Sequence, residues 1–185
     1  MSYFPIKETA YALRSYYADA EETEKIIIDC ALVAAGADAV GSIIPGLSIP
    51  ATIITCFGAV WVMYGKLCDK LGISLKKNML KLLARAALAN ITANLGGAIL
   101  GLLAGMMIPG GSILASAAVA FLTIYLAGLV FLQLVLKLAK QSNDPYSFSD
   151  ISASEMQKAL KETKVGIEDL EAARQAYEAN KQGKD

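Results

Sequence analysis

Residues 95–136 read LGGAILGLLAGMMIPGGSILASAAVAFLTIYLAGLVFLQLVL, 42 positions without a charged side chain. Gln133 is the only strongly polar residue among them. A helix at a protein surface needs a wet stripe, and so long an apolar run leaves none. Pro109, Gly110 and Gly111 divide the run, because proline cannot continue a helix and glycine permits the reversal that follows. Two helices result, at residues 86–108 and 112–136. At ~1.5 Å per residue each is longer than about 30 Å, enough to cross a bilayer with some tilt.

Composition agrees. The chain is 55% hydrophobic and 18% charged, against about 45–50% and about 25% in ordinary soluble domains. Mean hydropathy is +0.46. The formal net charge is zero, so no overall field draws the chain to nucleic acid. The opening stretch MSYFPIKETAYALRS has no apolar core of the kind a cleaved secretory signal carries, and insertion is expected to use internal segments. Cys30, Cys56 and Cys68 read as free thiols that behave as small hydrophobes.

A second feature sets the expected architecture. GSIIPGLSI at 41–49 and GMMIPGGSI at 105–113 agree at an offset of 64. The agreement extends to Ala34 with Ala98, Ala51 with Ala115, Thr52 with Ser116, Phe57 with Phe121 and Trp61 with Tyr125. Each copy keeps a helix stop at Pro45 or Pro109, a turn at Gly46 or Gly110, and a helix-capping hydroxyl at Ser48 or Ser112. The reading is an all-α integral membrane protein built from two duplicated helical hairpins, with amphipathic helices at both ends. An aromatic-rich segment covers 1–21, the membrane unit covers 22–141 with hairpins at 22–71 and 75–141, and a linker with a C-terminal helix covers 142–185. The four apolar helices are expected at 22–43, 49–71, 75–108 and 112–141.

Both tips are uncharged, whereas Lys66, Lys70, Lys76, Lys77, Lys81, Arg85, Lys137 and Lys140 sit at the opposite ends. Basic residues at the ends of spans mark the cytoplasmic side, so both termini are expected there and both tips away from it. The first hairpin has the weaker claim to cross, because Asp29 and Asp38 interrupt its first helix. Dipping into the bilayer or being covered by the second hairpin are its alternatives.

Several features bear on function. Gly97, Gly101 and Gly105 recur every four residues, with Ala93 extending the row. Such a row lets another backbone approach closely, either in an oligomer or within the monomer against Val33, Ala37 and Gly41. Asp38, an acid inside an apolar stretch, is a candidate for an ion path or a residue at a wet interface. Asn90 and Asn94 are placed one turn apart to bond between helices. Tyr3, Phe4, Tyr11, Tyr16 and Tyr17 crowd the first seventeen residues and suit headgroups, a partner or plain packing. Ser152 and Glu155 fit a capping box opening a helix at about 152–180, with Leu160, Ile167, Leu170 and Tyr177 on one flank.

Chemistry-bearing patterns are missing from the sequence. It has no histidine, no P-loop, no nucleophile elbow and no metal-ligand cysteine spacing. The expectation is no enzyme, no cofactor, no metal and no catalytic residue.

The Ala/Gly-rich helix ending in IIPG, the helix IPATIITCFGAVWVMYGKL and the second IPGGSI with its long apolar helix carry a resemblance. Over roughly 31–138 the chain resembles a bacterial membrane-associated helical-hairpin domain of unknown function that often accompanies Era-like GTPases. The resemblance implies a bacterial inner-membrane module. It also implies a GTPase on a separate chain as a soluble partner, since no GTPase sequence is present here. The leading expectation is a non-enzymatic, self-associating membrane protein, a homo-oligomeric scaffold or pore in the lipid bilayer that binds no nucleic acid. The alternative is a membrane anchor or regulatory module recruiting a soluble protein through its terminal helices. A weaker third is ion- or proton-coupled transport using Asp38.

Overall fold

The computed structural model describes residues 5–41, 48–105, 112–141, 144–146, 148 and 151–182, with side-chain surroundings given for 5–37, for 56–99 and, Ala153 and Gln182 apart, from Ser116 onward. These residues form seven α-helices and no strand: α1 Pro5–Leu13, α2 Glu22–Gly41, α3 Ser48–Leu71, α4 Lys77–Gly105, α5 Ser112–Gln141, α6 Ala153–Lys161 and α7 Ile167–Gln182. Two of them, α4 and α5, are long and apolar enough to cross a membrane. The four central helices begin and end within a few residues of the expected positions.

Helix α5 is the axis. It packs on α1, α2, α3, α4, α6 and α7, and from Ala120 to Val135 only Thr123 and Gln133 are not fully buried. A helix apolar on every side must be enclosed by protein or lipid. Here the chain itself supplies most of the enclosure: 78% of the apolar window of α5 is buried, against 33% in α4. The two candidate spans are therefore unlike, Ser116–Gln141 mostly inside the protein and Lys77–Ile99 mostly not.

Close approach to α5 is set by small residues and one buried hydroxyl. Ile27 of α2, fully buried, lies over Gly128, where an added Cβ would stand 2.7 Å from Ile27 Cγ1 and Cγ2. On another side Tyr64 of α3 donates its hydroxyl to the Ala127 carbonyl at 2.8 Å, and its ring lies 4.5 Å from that of Phe131. The phenol thereby satisfies a polar group inside an apolar core, where an orphan would be costly.

The connection from α3 to α4 closes the end of the bundle opposite the two Pro-Gly segments. Gly72, at φ +67, ends α3. The Ile73 amide donates to the Cys68 carbonyl at 2.8 Å and the Gly72 amide to the Asp69 carbonyl at 3.3 Å, the paired bonds of a Schellman cap that needs glycine at its left-handed position. Ser74 then donates its amide to Tyr146 at 3.0 Å. Lys70, in the last turn of α3, bonds Glu22 at 2.7 Å and sits 3.6 Å from Asp19; the Glu22 hydrogen bond, ahead of the surrounding charges, raises its ammonium above the ordinary lysine value.

The N-terminal aromatics pack onto this base. Tyr17 is buried, donates to the Pro145 carbonyl at 2.5 Å, and meets Tyr146 edge-on at 5.5 Å. Burial, then the neighbouring Tyr146, Cys68 and Asp144, pushes its phenol above the usual tyrosine range. Tyr11 stays exposed and Tyr16 half-buried, while Tyr3 and Phe4 lie outside the described residues.

The single C-terminal helix expected at about 152–180 is two helices. The capping box at Ser152 and Glu155 is present, but α6 stops at Lys161. Gly166 then begins a new helix, its amide donating to Asp169 Oδ2 at 2.8 Å in the reach-back that an acid at the third helical position makes. The break resets the helical phase. Leu160 and Leu170 are buried, whereas Ile167 is 55% exposed, so the expected common flank does not exist.

Gly128→Ala should destabilise the bundle by about 1–3 kcal/mol through overpacking, read as a lowered thermal midpoint in mild detergent. Adding Ile27→Ala removes the opposing atoms, so the double variant should lose less than the sum of the two single variants.

Candidate membrane-facing surface

The surface of the described helices changes character along their length. On α2 the exposed positions run Lys25, Asp29, Val33, Ala37; on α3, read backwards, Asp69, Lys66, Val62. Both grade from charged to apolar toward the Pro-Gly segments. Val33 is 72% and Val62 53% exposed. Beyond Asp38 in α2, before Lys66 in α3, beyond Arg85 in α4 and before Lys137 in α5 the sequence carries no charge.

Helix α4 shows the gradient most fully. Lys77, Lys81, Arg85, Ala89, Ala93 and Gly97 follow one another at four-residue spacing, and every one is exposed. A Cβ added at Gly97 would meet nothing within 4 Å. Polar groups on this stretch are satisfied locally. The Thr92 hydroxyl donates to the Leu88 carbonyl at 2.8 Å and Asn94 Nδ2 to Asn90 Oδ1 at 2.9 Å, arrangements that also lower the cost of meeting lipid.

The described members of the small-residue row, Ala93 and Gly97, face outward. Helix α4 packs on α3, α5, α6 and α7, and α2 on α1, α3 and α5. Ala93, Gly97, Val33 and Ala37 are all exposed, so these four residues are not buried against one another within the monomer. The side-chain surroundings of Gly101 and Gly105, which continue the row along α4, lie outside the described residues. So do those of Asp38, a residue of α2, and of Ser48 and Ser112, the first residues of α3 and α5. Pro45, Gly46, Pro109 and Gly110 also lie outside the described residues.

Trp61 was legible only as half of a repeat pair. The structure sets it beside α4, with Lys77 Nζ 5.7 Å and Lys81 Nζ 5.1 Å from its ring centroid. Tryptophan and lysine together are the usual residues of a membrane–water boundary. Sequence signals for this grouping exist, since all three lie within twenty-one residues across one turn, but they require knowing how α3 meets α4.

The other flank of α4 holds the C-terminal helices. Asn90 Nδ2 reaches the carbonyls of Leu160 and Thr163, each at 3.4 Å, at the end of α6, where the Leu160 carbonyl also accepts the Thr163 amide at 3.1 Å. Lys137 of α5 pairs with Glu162. Its hydrogen bond, more than its charge alone, holds the Glu162 carboxyl below the usual carboxylate range. Between α5 and α6 lies an open groove of about 470 Å³ lined in part by Lys137, Glu155, Lys158 and Glu162. Helix α7 extends along α5 until Tyr177 stacks 5.1 Å from Phe121, and its outer face carries Glu168, Glu171, Arg174 and Glu178, all exposed.

Cys30, Cys56 and Cys68 are buried and in no disulfide. Among the described residues no grouping of three or more Cys, Asp or Glu side chains could hold a metal ion. Comparison with protein-family models, with curated proteins and with solved structures gives no match. The fold and surface define an all-helical protein with two helices able to cross a membrane, one of them sheathed and one largely bare.

The attachment of α6 is expected to weaken in acid. The carboxyls of Glu162 and Glu155 are both lowered, Glu155 through the Ser152 hydrogen bonds. Lowered folded values mean a contribution that is present above the unfolded carboxylate value of about 4.3 and is lost as pH falls through the folded values. Hydrogen exchange in α6 should accelerate below about pH 4 while α5 stays protected. Glu162→Gln should remove part of that pH dependence with only a small loss of stability at neutral pH, because the pair is half-exposed.

Proposed function

We propose that the protein is a non-enzymatic membrane protein that self-associates through the outward face of α4, forming an oligomeric scaffold. The observation that carries this reading is the bare small-residue row. Ala89, Ala93 and Gly97 are exposed in the monomer, Gly97 has open space where a side chain would stand, and the row continues in sequence to Gly101 and Gly105. Lipid provides no hydrophobic drive between helices, so close backbone contact along small residues is the main source of association there.

The charge gradient supports a partly immersed bundle. The uncharged segments around both Pro-Gly turns enter the bilayer, and the basic ends of α3, α4 and α5 remain at its cytoplasmic face. Helix α7 limits the depth. Its charged outer face runs beside α5 as far as Phe121, and charged side chains do not accompany a helix through hydrocarbon at low cost. The α7 side therefore stays in water while the α4 side meets lipid and a second copy. A scaffold is preferred to a pore because α5, the most apolar helix, is already enclosed by its own chain.

Gly97→Leu tests this cleanly. The monomer has room for the side chain, and leucine favours a helix more than glycine does, so loss of assembly would report an intermolecular contact. Light scattering of the purified full chain, corrected for bound detergent, should show a discrete oligomer in the wild type and a monomer in the variant. An oligomer of unchanged mass in the variant would remove α4 as the interface. Conductance across planar bilayers by the wild type would convert the scaffold into a pore.

A further inference from the structure

A net charge of zero hides a marked segregation. Residues 1–69 hold four basic and eight acidic side chains, 70–143 hold seven basic and none acidic, and 144–185 hold six basic and nine acidic. Within the basic segment Lys70 is neutralised by Glu22 and Asp19, and Lys137 by Glu162. Lys76, Lys77, Lys81 and Arg85 are exposed, and among the described residues none of the four makes an ion pair. They occupy the wrong end of their helix, because a helix N-terminus is electrically positive and favours acids. The first turn of α4 has no acid. Among the described residues only the Trp61 ring, beside Lys77 and Lys81, faces these cations.

We propose that this face, Lys77, Lys81 and Arg85 with Trp61, docks on anionic phospholipid headgroups. The inference rests on the membrane reading above and adds the lipid class. Charge complementarity asks for an anionic partner. The choice of lipid over an acidic protein comes from what adjoins the cations. The same ladder on α4 passes directly into exposed Ala89, Ala93 and Gly97, so a polyanionic surface at one end must give way to an apolar phase at the other. A bilayer has that layering. The Trp61 ring, half-buried and faced by Lys77 and Lys81, sits where the boundary would fall, and an aromatic ring with a cation above it suits the headgroup layer. Basic residues at an anionic surface act over about a Debye length, so the docking weakens with salt.

Trp61 is the only tryptophan in the chain, so its fluorescence reports this spot alone. The full chain is reconstituted into mixed phosphatidylcholine and phosphatidylglycerol vesicles and checked for co-flotation. Trp61 quenching is then compared with acyl chains brominated on one lipid or on the other. The expected result is stronger quenching by brominated phosphatidylglycerol, a preference on the order of fivefold or more that shrinks at high salt. Replacing Lys77, Lys81 and Arg85 together with Gln should abolish the preference. The same replacement of Lys158, Lys161 and Lys164, exposed on and after α6, changes net charge equally and should leave it intact. Equal quenching by both lipids in the wild type, or a preference that survives the α4 replacement, overturns the proposal. Protein that floats with vesicles while neither lipid quenches Trp61 places the patch against an acidic protein and overturns it too. Protein that does not float removes the membrane reading itself, a failure visible before any fluorescence is measured.

Discussion

Everything in this structure follows from the need to enclose α5. A helix with apolar residues on all sides has no stable place in water, and the long uncharged stretch of α5 ends only at Lys137. Helices α1, α2, α3, α4, α6 and α7 all pack on it. Their own sequences make sense as the sheath. Helix α1 turns Ile6, Ala10 and Leu13 inward, and α7 turns Leu170, Ala172 and Ala173 inward, while Lys7 and Glu8 of α1 and Glu168, Glu171, Arg174 and Glu178 of α7 stay outside. The buried residues join into one core that runs from Ile6 to Ala173. The terminal segments are therefore parts of the central fold, not appendages to it.

The sheath is fastened chiefly at the end away from the Pro-Gly segments. There the Schellman cap at Gly72, the Ser74 to Tyr146 backbone bond, the Tyr17 to Pro145 bond and the Tyr146 to Tyr16 bond tie three separate stretches of chain together. Lys70 adds ion pairs to the loop before α2. Farther along, the links between sheath and axis are side-chain packing and single contacts such as Phe121 on Tyr177. The bundle is thus most strongly specified by hydrogen bonds and ion pairs at the end that holds Gly72 and Tyr146, and depends increasingly on apolar contact farther along α5.

Legibility in the sequence followed the same division. The boundaries of α2 to α5 could be read because proline, glycine and charge clusters punctuate long apolar runs. The split between α6 and α7 was also written there, in Gly166 followed three residues later by Asp169, but the apolar positions at Leu160, Ile167 and Leu170 suggested one continuous helix. Hydropathy could not tell α4 from α5. It measures what a helix needs excluded from water and is blind to what does the excluding. For the same reason the sequence did not show that Ala93 and Gly97 of the small-residue row are bare. That Asn90 bonds to another helix was legible, but its partner at the end of α6 was not, because it lies seventy residues distant.

The two stretches that agree at an offset of 64 end in unequal places, and the inequality is itself informative. Tyr125 is buried on the central helix, while its counterpart Trp61 is half-buried beside two lysines. Lys66, exposed on α3, corresponds to Val130, fully buried on α5, and Lys70 to Leu134. Only one helix can be the axis of a bundle, so two similar hairpins packed together cannot remain equivalent. The one that supplies the axis must lose its charges, and the one that wraps it must keep a polar side. The helix that precedes the axis, α4, is then left with an outer ladder that is basic at Lys77, Lys81 and Arg85 and apolar at Ala89, Ala93 and Gly97, and that no other part of the described chain buries. Its exposure is a consequence of how the bundle is built, and the proposed contacts with lipid and with a second copy rest on it.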